Sequence, residues 1–392
     1  MAHFSKRIET LTGGGSDGWD IYRKSKEMVA AGLPVVELTI GEHDRKTDPS
    51  ILEAMYRSAL DGHTGYASIP GTDELRERVA KRTERITGHK TGPENVVITA
   101  GGQAALFLTH ALACDPGETA LYIDPYYATY PGTIRGTGAV ATSVLARAEA
   151  GFQPARSDLE AAGPARSLLI NSPNNPTGVV YGQKTLGEIA GFVRDNDMWL
   201  ISDEVYDTQV WEGAHLSPRV LDGMEERTLV VGSLSKSHAM TGSRIGWILG
   251  PETAIDHLIN LSTHTTYGLP GFLQDAGAFA LDQGPMLEEE ISTPFRRRHA
   301  ALSAIFAARG MSVVPSTATM YLMLDIRASG LSGDAFADRL LDHHRIAVMP
   351  GESFGAAAAG HIRVALTTDD AALEAAAQVI ADFFFDLRKD AA

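Results

Sequence analysis

Short runs of apolar residues along the chain alternate with longer stretches in which apolar positions recur every three or four residues. The short runs predict strands over 35–40, 96–99, 120–123, 167–171, 199–202, 229–231 and 245–249. The longer periodic stretches predict helices over 19–31, 49–60, 73–87, 104–112 and 185–195. Strand, helix, strand at this rhythm implies a mostly parallel sheet covered on both faces, hence an α/β fold. Beyond Pro251 the pattern changes. Helices are predicted over 253–263, 270–282 and 286–309, and then strands over 321–326, 346–349 and 361–365 alternate with helices over 333–343 and 370–388. That is an α+β grouping. The expected organisation is a large domain over 46–285 and a smaller one built from 286–392 together with 1–45, which adds an N-terminal arm.

Ligands of open parallel sheets bind beyond the carboxyl ends of the strands. Five polar loops follow predicted strands here: Gly101-Gly102-Gln103, Asp124-Pro-Tyr-Tyr127, Asn171-Ser-Pro-Asn-Asn175, Asp203-Glu-Val-Tyr206 and Ser233-Leu-Ser-Lys236. Their convergence on one sheet edge is the main organisational expectation. The segment Gly136-Thr-Gly138 mimics a dinucleotide fingerprint, but no clear strand precedes it and no helix start follows, so it is set aside. Gly13-Gly14-Gly15 lacks a preceding strand and reads as a flexible lead-in.

Composition narrows the function classes. With 44% hydrophobic and 21% charged residues the chain is globular with an ample core. A net charge of −15 argues against binding to nucleic acid or to an anionic membrane surface. Cys114 is the sole cysteine, which rules out an intrachain disulfide and argues against a cysteine-based metal site; no metal is expected. No apolar run approaches the ~20 residues of a membrane helix. The start of the chain carries no apolar segment behind Lys6 and Arg7, so a cytoplasmic protein is expected.

Lys236 follows an apolar run and is flanked by Ser233, Ser235 and Ser237, with Arg244 shortly after. A lysine at a strand end among small hydroxyls suits a partly desolvated amine, whose lowered pKa lets it attack an aldehyde. The hydroxyls and Arg244 offer donors to a phosphate nearby. An exposed loop lysine is the alternative, so the reading needs support elsewhere. Gly101-Gly102-Gln103 opens a predicted helix, where free backbone N–H groups and the helix dipole suit an anion, although a tight structural turn would look the same. The turn Asn171–Gly178 can aim the Asn175 amide at a ligand oxygen. Asp203 ends a buried strand, a costly place for a carboxylate unless it meets a cation or a donor.

Asn174-Asn-Pro-Thr-Gly178, Ser202-Asp-Glu-Val-Tyr206, Ser233-Leu-Ser-Lys236 with Ser243-Arg-Ile-Gly-Trp247, and His361-Ile-Arg363 occur in this order. Together, over roughly 35–366, they resemble the class I/II aminotransferases, pyridoxal 5′-phosphate enzymes of fold type I. The resemblance implies that Lys236 forms a Schiff base with the cofactor and moves the proton at the substrate's Cα. It implies that Asp203 keeps the cofactor's pyridine nitrogen protonated, and that Tyr206 and Asn175 donate to its 3-oxygen. Gly102, Gln103, Ser233, Ser235 and Arg244 would form the phosphate cup, and Tyr127 would stack on the ring. Arg363 and Gly41 would hold the substrate carboxylate, with Tyr127 and Asn175 also facing substrate. Tyr66 would reach the phosphate of a neighbouring subunit, implying a homodimer.

The implied reaction is a ping-pong exchange of the amino group between an L-α-amino acid and a 2-oxo acid, pyruvate being a possible acceptor. A C–S β-lyase of the same fold is the alternative. One departure from the family is Gly41-Glu-His-Asp44 in place of Gly-x-Pro-Asp. His43 there reads as a polar loop residue, and Arg45 and Lys46 follow. If the amino donor carries a guanidinium, Glu42, Asp44 and Asp17 are the carboxylates that could meet it, and Arg45 and Lys46 would oppose it.

Overall fold

The computed structural model describes residues 3–391. Met1, Ala2 and Ala392, assigned above to the smaller domain, lie outside the described residues. The strands are β1 (Val36–Leu38), β2 (Val96–Thr99), β3 (Thr119–Asp124), β4 (Val140–Leu145), β5 (Ser167–Asn171), β6 (Trp199–Asp203), β7 (Thr228–Ser233), β8 (Gly246–Leu249), β9 (Ser312–Val313), β10 (Tyr321–Asp325), β11 (Ile346–Pro350) and β12 (His361–Ala365).

They form two sheets. The larger has the order β2-β8-β7-β6-β5-β3-β4. Its central pairs are parallel, and β8 alone runs against its neighbours β2 and β7. Strands β5 and β7 are buried at every position, as expected of strands covered on both faces. On one face, Val97, Leu169, Ile201 and Val231 pack with Ala105 and Leu108 of helix Gly101–Ala113. On the other, Leu121, Ile170 and Leu200 pack with Leu186, Ile189 and Val193 of helix Gln183–Asp195. The sheet therefore has both faces sealed, and its loops are the places left for chemistry.

The smaller sheet, β1-β11-β12-β10-β9, is mixed: β1 and β11 are parallel, and the remaining pairs antiparallel. Its core joins Leu322, Leu324, Val348, Ile362 and Val364 to Phe336, Leu340, Leu373 and Ile380. The 25-residue helix Gly284–Ala308 serves both cores. Leu287 and Ile291 near its start pack with Ile51 and Leu75, whereas Phe295, Leu302 and Phe306 pack against the smaller sheet. Among the described residues no helix is long and apolar enough to cross a membrane.

Of the local features that depart from the sequence reading, two bear on the site. Residues Tyr130–Thr137 form a helix, closed by Gly138 at φ 100°, which lies ahead of β4 where no element was predicted. Lys236 sits on a single helical turn, Leu234–Ser237, and not on an extended loop. Ser233 caps that turn by accepting from the Ser235 N–H at 3.1 Å.

Candidate active site

The loops after β2, β3, β5, β6 and β7 meet at one edge of the large sheet and close a cavity of about 330 Å³ against the segment after β1 and against β10 and β12 of the small one. Gly41, Gly102, Gln103, Tyr127, Asn175, Asp203, Tyr206, Ser233, Ser235, Lys236, Arg244 and Arg363 all line it. Each charged side chain there has a distinct setting.

Lys236 lines this cavity, and its amine donates to the Gly41 carbonyl. Burial holds its pKa below the ordinary lysine value, and the charges of Arg363 and Arg244 push in the same direction. Its backbone is fixed from below: the Lys236 carbonyl lies 3.0 Å from His43 Nε2 and 3.4 Å from Gln209 Nε2.

Asp203 is buried at the end of β6. Tyr130 Oη donates to its Oδ2 at 2.6 Å, and the Val205 N–H to its Oδ1 at 3.3 Å. Desolvation pushes this carboxyl up to about 6 in spite of those donors. Asn171 ties the neighbouring loops together, donating to the Asp203 carbonyl at 2.9 Å and accepting from the Asn175 N–H at 2.8 Å.

Arg363 on β12 is sandwiched between Tyr321 and Phe354, whose ring centroids lie 4.3 and 4.5 Å from its guanidinium carbon. It donates to Asn175 Oδ1 at 2.7 Å and to the Thr39 carbonyl. Its Nε is buried without a partner. A guanidinium fixed on two faces with a donor unspent is arranged to receive an anion. Gly41 is required opposite it, because a side chain there would run into the Tyr321 hydroxyl.

At the other end of the cavity, Ser233 Oγ donates to the Ile245 carbonyl at 2.9 Å and lies 2.9 Å from Ser235 Oγ. Gly101 begins its helix at φ 78°, and a Cβ there would strike the Arg244 guanidinium. Hydroxyls, an arginine and the open N-terminus of a 13-residue helix form an anion cradle.

A family model described as "Aminotransferase class I and II" matches residues 34–380. The chain belongs to the class I and II aminotransferases. An arginine–pyruvate transaminase from Pseudomonas aeruginosa is 38% identical, with 96% of this chain and 97% of that protein aligned. An aspartate/prephenate aminotransferase from Thermus thermophilus is 33% identical over 94% and 96%. The solved structure of Thermus thermophilus aspartate aminotransferase with maleate superposes with a TM-score of 0.91, at 33% identity, covering 98% of this chain and all of that one. The chain is thus a pyridoxal-phosphate-dependent aminotransferase, acting on amino and 2-oxo acids.

The cavity suits that cofactor. The cradle at Gly102, Ser233, Ser235 and Arg244 fits a phosphate, and the Lys236 amine and Asp203 carboxylate face the same space. The other residues weighed from the sequence have varied settings. Gln103 lines the cavity beside Gly102, with its side-chain amide held between Thr133 Oγ1 (2.7 Å) and Thr129 Oγ1 (2.9 Å). Tyr66 is 93% exposed, packs on Tyr267 and does not line its own chain's cavity.

His43 packs edge-on against Phe295 and holds Lys236 from behind; burial drives its pKa down to about 3, so the ring is neutral. Asp44 is bound by both terminal nitrogens of Arg298 at 3.0 and 2.6 Å, and Asp17 by Arg23 at 2.8 Å. Arg45 is paired with Glu290 at 2.6 Å. Of the three carboxylates considered for a cationic donor, Glu42 alone lines the cavity, where it accepts from Thr241 Oγ1 at 3.0 Å.

Trp19, Tyr130 and Tyr321 also line the cavity and were missed. Nothing in an aromatic residue outside a motif separates a cavity wall from a core position. The turn-like Tyr130-Pro-Gly-Thr context hid the helix that carries Tyr130.

Proposed function

We propose that Lys236 is the residue that binds pyridoxal phosphate covalently and moves the proton at the substrate's Cα, in a transamination that uses pyruvate as amino acceptor. The observation that carries this reading is the meeting of Lys236, Asp203 and Arg363 in one cavity at the carboxyl ends of the strands. Bound pyridoxal phosphate supplies an aldehyde that takes up the amino group and a pyridine ring that withdraws electrons from Cα.

The chain's own groups do the rest. A lysine with a lowered pKa has a larger share of neutral amine, the form able to attack and to accept a proton. Arg363 orients the substrate through its carboxylate, with Asn175 and the Gly41 backbone beside it. Tyr206 and Asn175 would donate to the cofactor's ring oxygen, Asp203 would accept from its protonated nitrogen and supply the counter-charge, and Tyr127 would cover the ring. Gly102, Gln103, Ser233, Ser235 and Arg244 would hold the phosphate.

The choice of pyruvate is supported by the name of the Pseudomonas aeruginosa relative. Glu42, which makes no ion pair among the described residues, supports a donor with a cationic side chain. The transaminase names of the relatives do not favour the β-lyase alternative. Exposed Tyr66 and Tyr267, with Leu52, Tyr56 and Leu60 on one helix, support a homodimer in which Tyr66 reaches the neighbouring site. The division into a large domain over 46–285 and a smaller one fits the strands, since β2–β8 fall inside that range and β1 and β9–β12 outside it. A cytoplasmic location accords with the lone buried Cys114.

Borohydride reduction followed by peptide mass spectrometry should place the cofactor on Lys236, and a panel of amino donors with pyruvate should yield alanine. Cofactor fixed to another lysine would sink the first statement. Ammonia release without any acceptor would sink the second.

A further inference from the structure

The residue that sequence motifs did not reveal, Tyr130, has the closest side-chain contact to the buried carboxylate of the site. Its hydroxyl donates to Asp203 Oδ2 at 2.6 Å, and both residues are almost wholly buried. The Tyr130 ring is fixed on a helix whose Ile134 is packed in the core, and Tyr127 meets it edge-to-face with centroids 5.8 Å apart. On the other side of Asp203, Val205 offers only a long backbone contact, and Asn171 bonds the Asp203 carbonyl and not its carboxylate. Tyr130 is therefore the side chain that sets how the carboxylate is oriented, while Oδ1 is met only by the Val205 N–H.

We infer that Tyr130 is a positioning residue that keeps Asp203 ionised and aimed at the cofactor's pyridine nitrogen. This rests on the role proposed above for Asp203. The effect of the hydroxyl is electrostatic. A buried carboxylate opposite a pyridine retains its charge only if something replaces the water it has lost, and a short O–H···O⁻ bond is the strongest neutral substitute.

Burial has already moved this carboxyl to about 6, close to working pH, so losing one donor would shift it toward the neutral form. The titratable groups around it cannot compensate. Tyr130, Tyr127 and Tyr206 are held protonated by burial. Glu204 is engaged by His215 at 2.8 Å. A neutral Asp203 can no longer act as counter-charge for a protonated ring nitrogen, so cofactor retention should weaken and become steeper with falling pH.

The test compares Tyr130→Phe, Asp203→Asn and the double variant, with pyridoxal phosphate affinity measured by equilibrium dialysis from pH 5.5 to 8.5. The pH midpoint of the bound cofactor's visible absorption is followed alongside. Tyr130→Phe keeps the ring and removes only the hydroxyl, so the fold should survive; circular dichroism of the apo-protein checks this. The expected result is a roughly tenfold loss of affinity at neutral pH, deepening toward acid, with an altered absorption midpoint. Adding Tyr130→Phe to Asp203→Asn should then cost nothing more, because the hydroxyl acts through the carboxylate. Wild-type affinity and midpoint in Tyr130→Phe would overturn the inference, as would an undiminished effect in the Asp203→Asn background. Should Asp203→Asn itself leave cofactor binding and absorption unchanged, the role assigned to Asp203 fails instead.

Discussion

Two clusters of buried charge lie on either side of one loop, and they are built on opposite rules. Behind the loop, Arg82 donates to both oxygens of Asp207 at 2.6 and 2.9 Å and to Glu288 at 2.7 Å, and Arg85 takes the other oxygen of Glu288 at 2.7 Å. Every charge there has an opposite charge in contact. In front, four residues earlier on the same loop, Asp203 is met by a tyrosine hydroxyl. Lys236 is met by a carbonyl, and Arg363 by an amide and a carbonyl. The front cavity brings Lys236, Arg244 and Arg363 together with Asp203 and Glu42, none of them ion-paired with another. Paired charge holds the chain together. Charge answered only by neutral groups is kept for a ligand that carries its own, and an excess of cations suits one bearing both a phosphate and a carboxylate.

The largest effect is expected at the lysine of the front cluster. Lys236→Ala should lower transamination by more than about a thousandfold while leaving thermal unfolding close to wild type. Turnover and calorimetry on the same preparation check it, and an unfolded variant would mean that the front cluster is structural as well.

Arg82→Leu should do the reverse. It leaves Asp207 and part of Glu288 uncompensated, costing roughly 3–5 kcal/mol in urea unfolding. The protein that stays folded should still bind cofactor; a fully active variant of unchanged stability would contradict the reading.

A third test uses pH. Burial raises Asp203 from 3.8 to about 6. Between those values the native state holds a proton that the unfolded chain releases, so this group lowers stability as pH rises through the window. The apo-form of Asp203→Asn should gain on wild type from pH 4 to pH 6, by up to roughly 3 kcal/mol, and level off above. Asp207 should behave in the opposite way. Burial alone would raise it, but Arg82 holds it below 3.8, so the stability it confers is present above that pH and fades as pH falls through the lowered value. Urea midpoints of Asp203→Asn between pH 4 and pH 6, and of Asp207→Asn followed from pH 5 down to well below 3.8, measure both, and slopes of the same sign would refute the distinction.

Smallest is Arg363→Lys. The charge survives, but the flat fork between Tyr321 and Phe354 does not, and kcat/KM for amino donors should fall roughly ten- to hundredfold. Equal loss for donors with and without an α-carboxylate would show that Arg363 does not read that group.

The same division governs what could be read from the sequence. Strands β5 and β7 announced themselves because a strand covered on both faces must be apolar throughout, and the loops that follow them carried the recognisable motifs. The helix Tyr130–Thr137 did not, since proline and two glycines within eight residues give it little intrinsic preference and packing of Tyr130 and Ile134 creates it. The pairing of Asp207 with Arg82 joins residues 125 positions apart, a relation that no local pattern encodes. Asp44 and Asp17 looked available for a substrate only because their partners, Arg298 and Arg23, are settled by folding.

The single turn that carries Lys236 is pinned at its carbonyl by His43 and Gln209 and capped by Ser233. A pedestal held at so many points leaves the aminobutyl arm to do the travelling. Its reach is then set by four carbon–carbon torsions rather than by any shift of the main chain. Rotations of that kind are complete in nanoseconds or less when unobstructed, so delivery of the amine should never limit a turnover cycle.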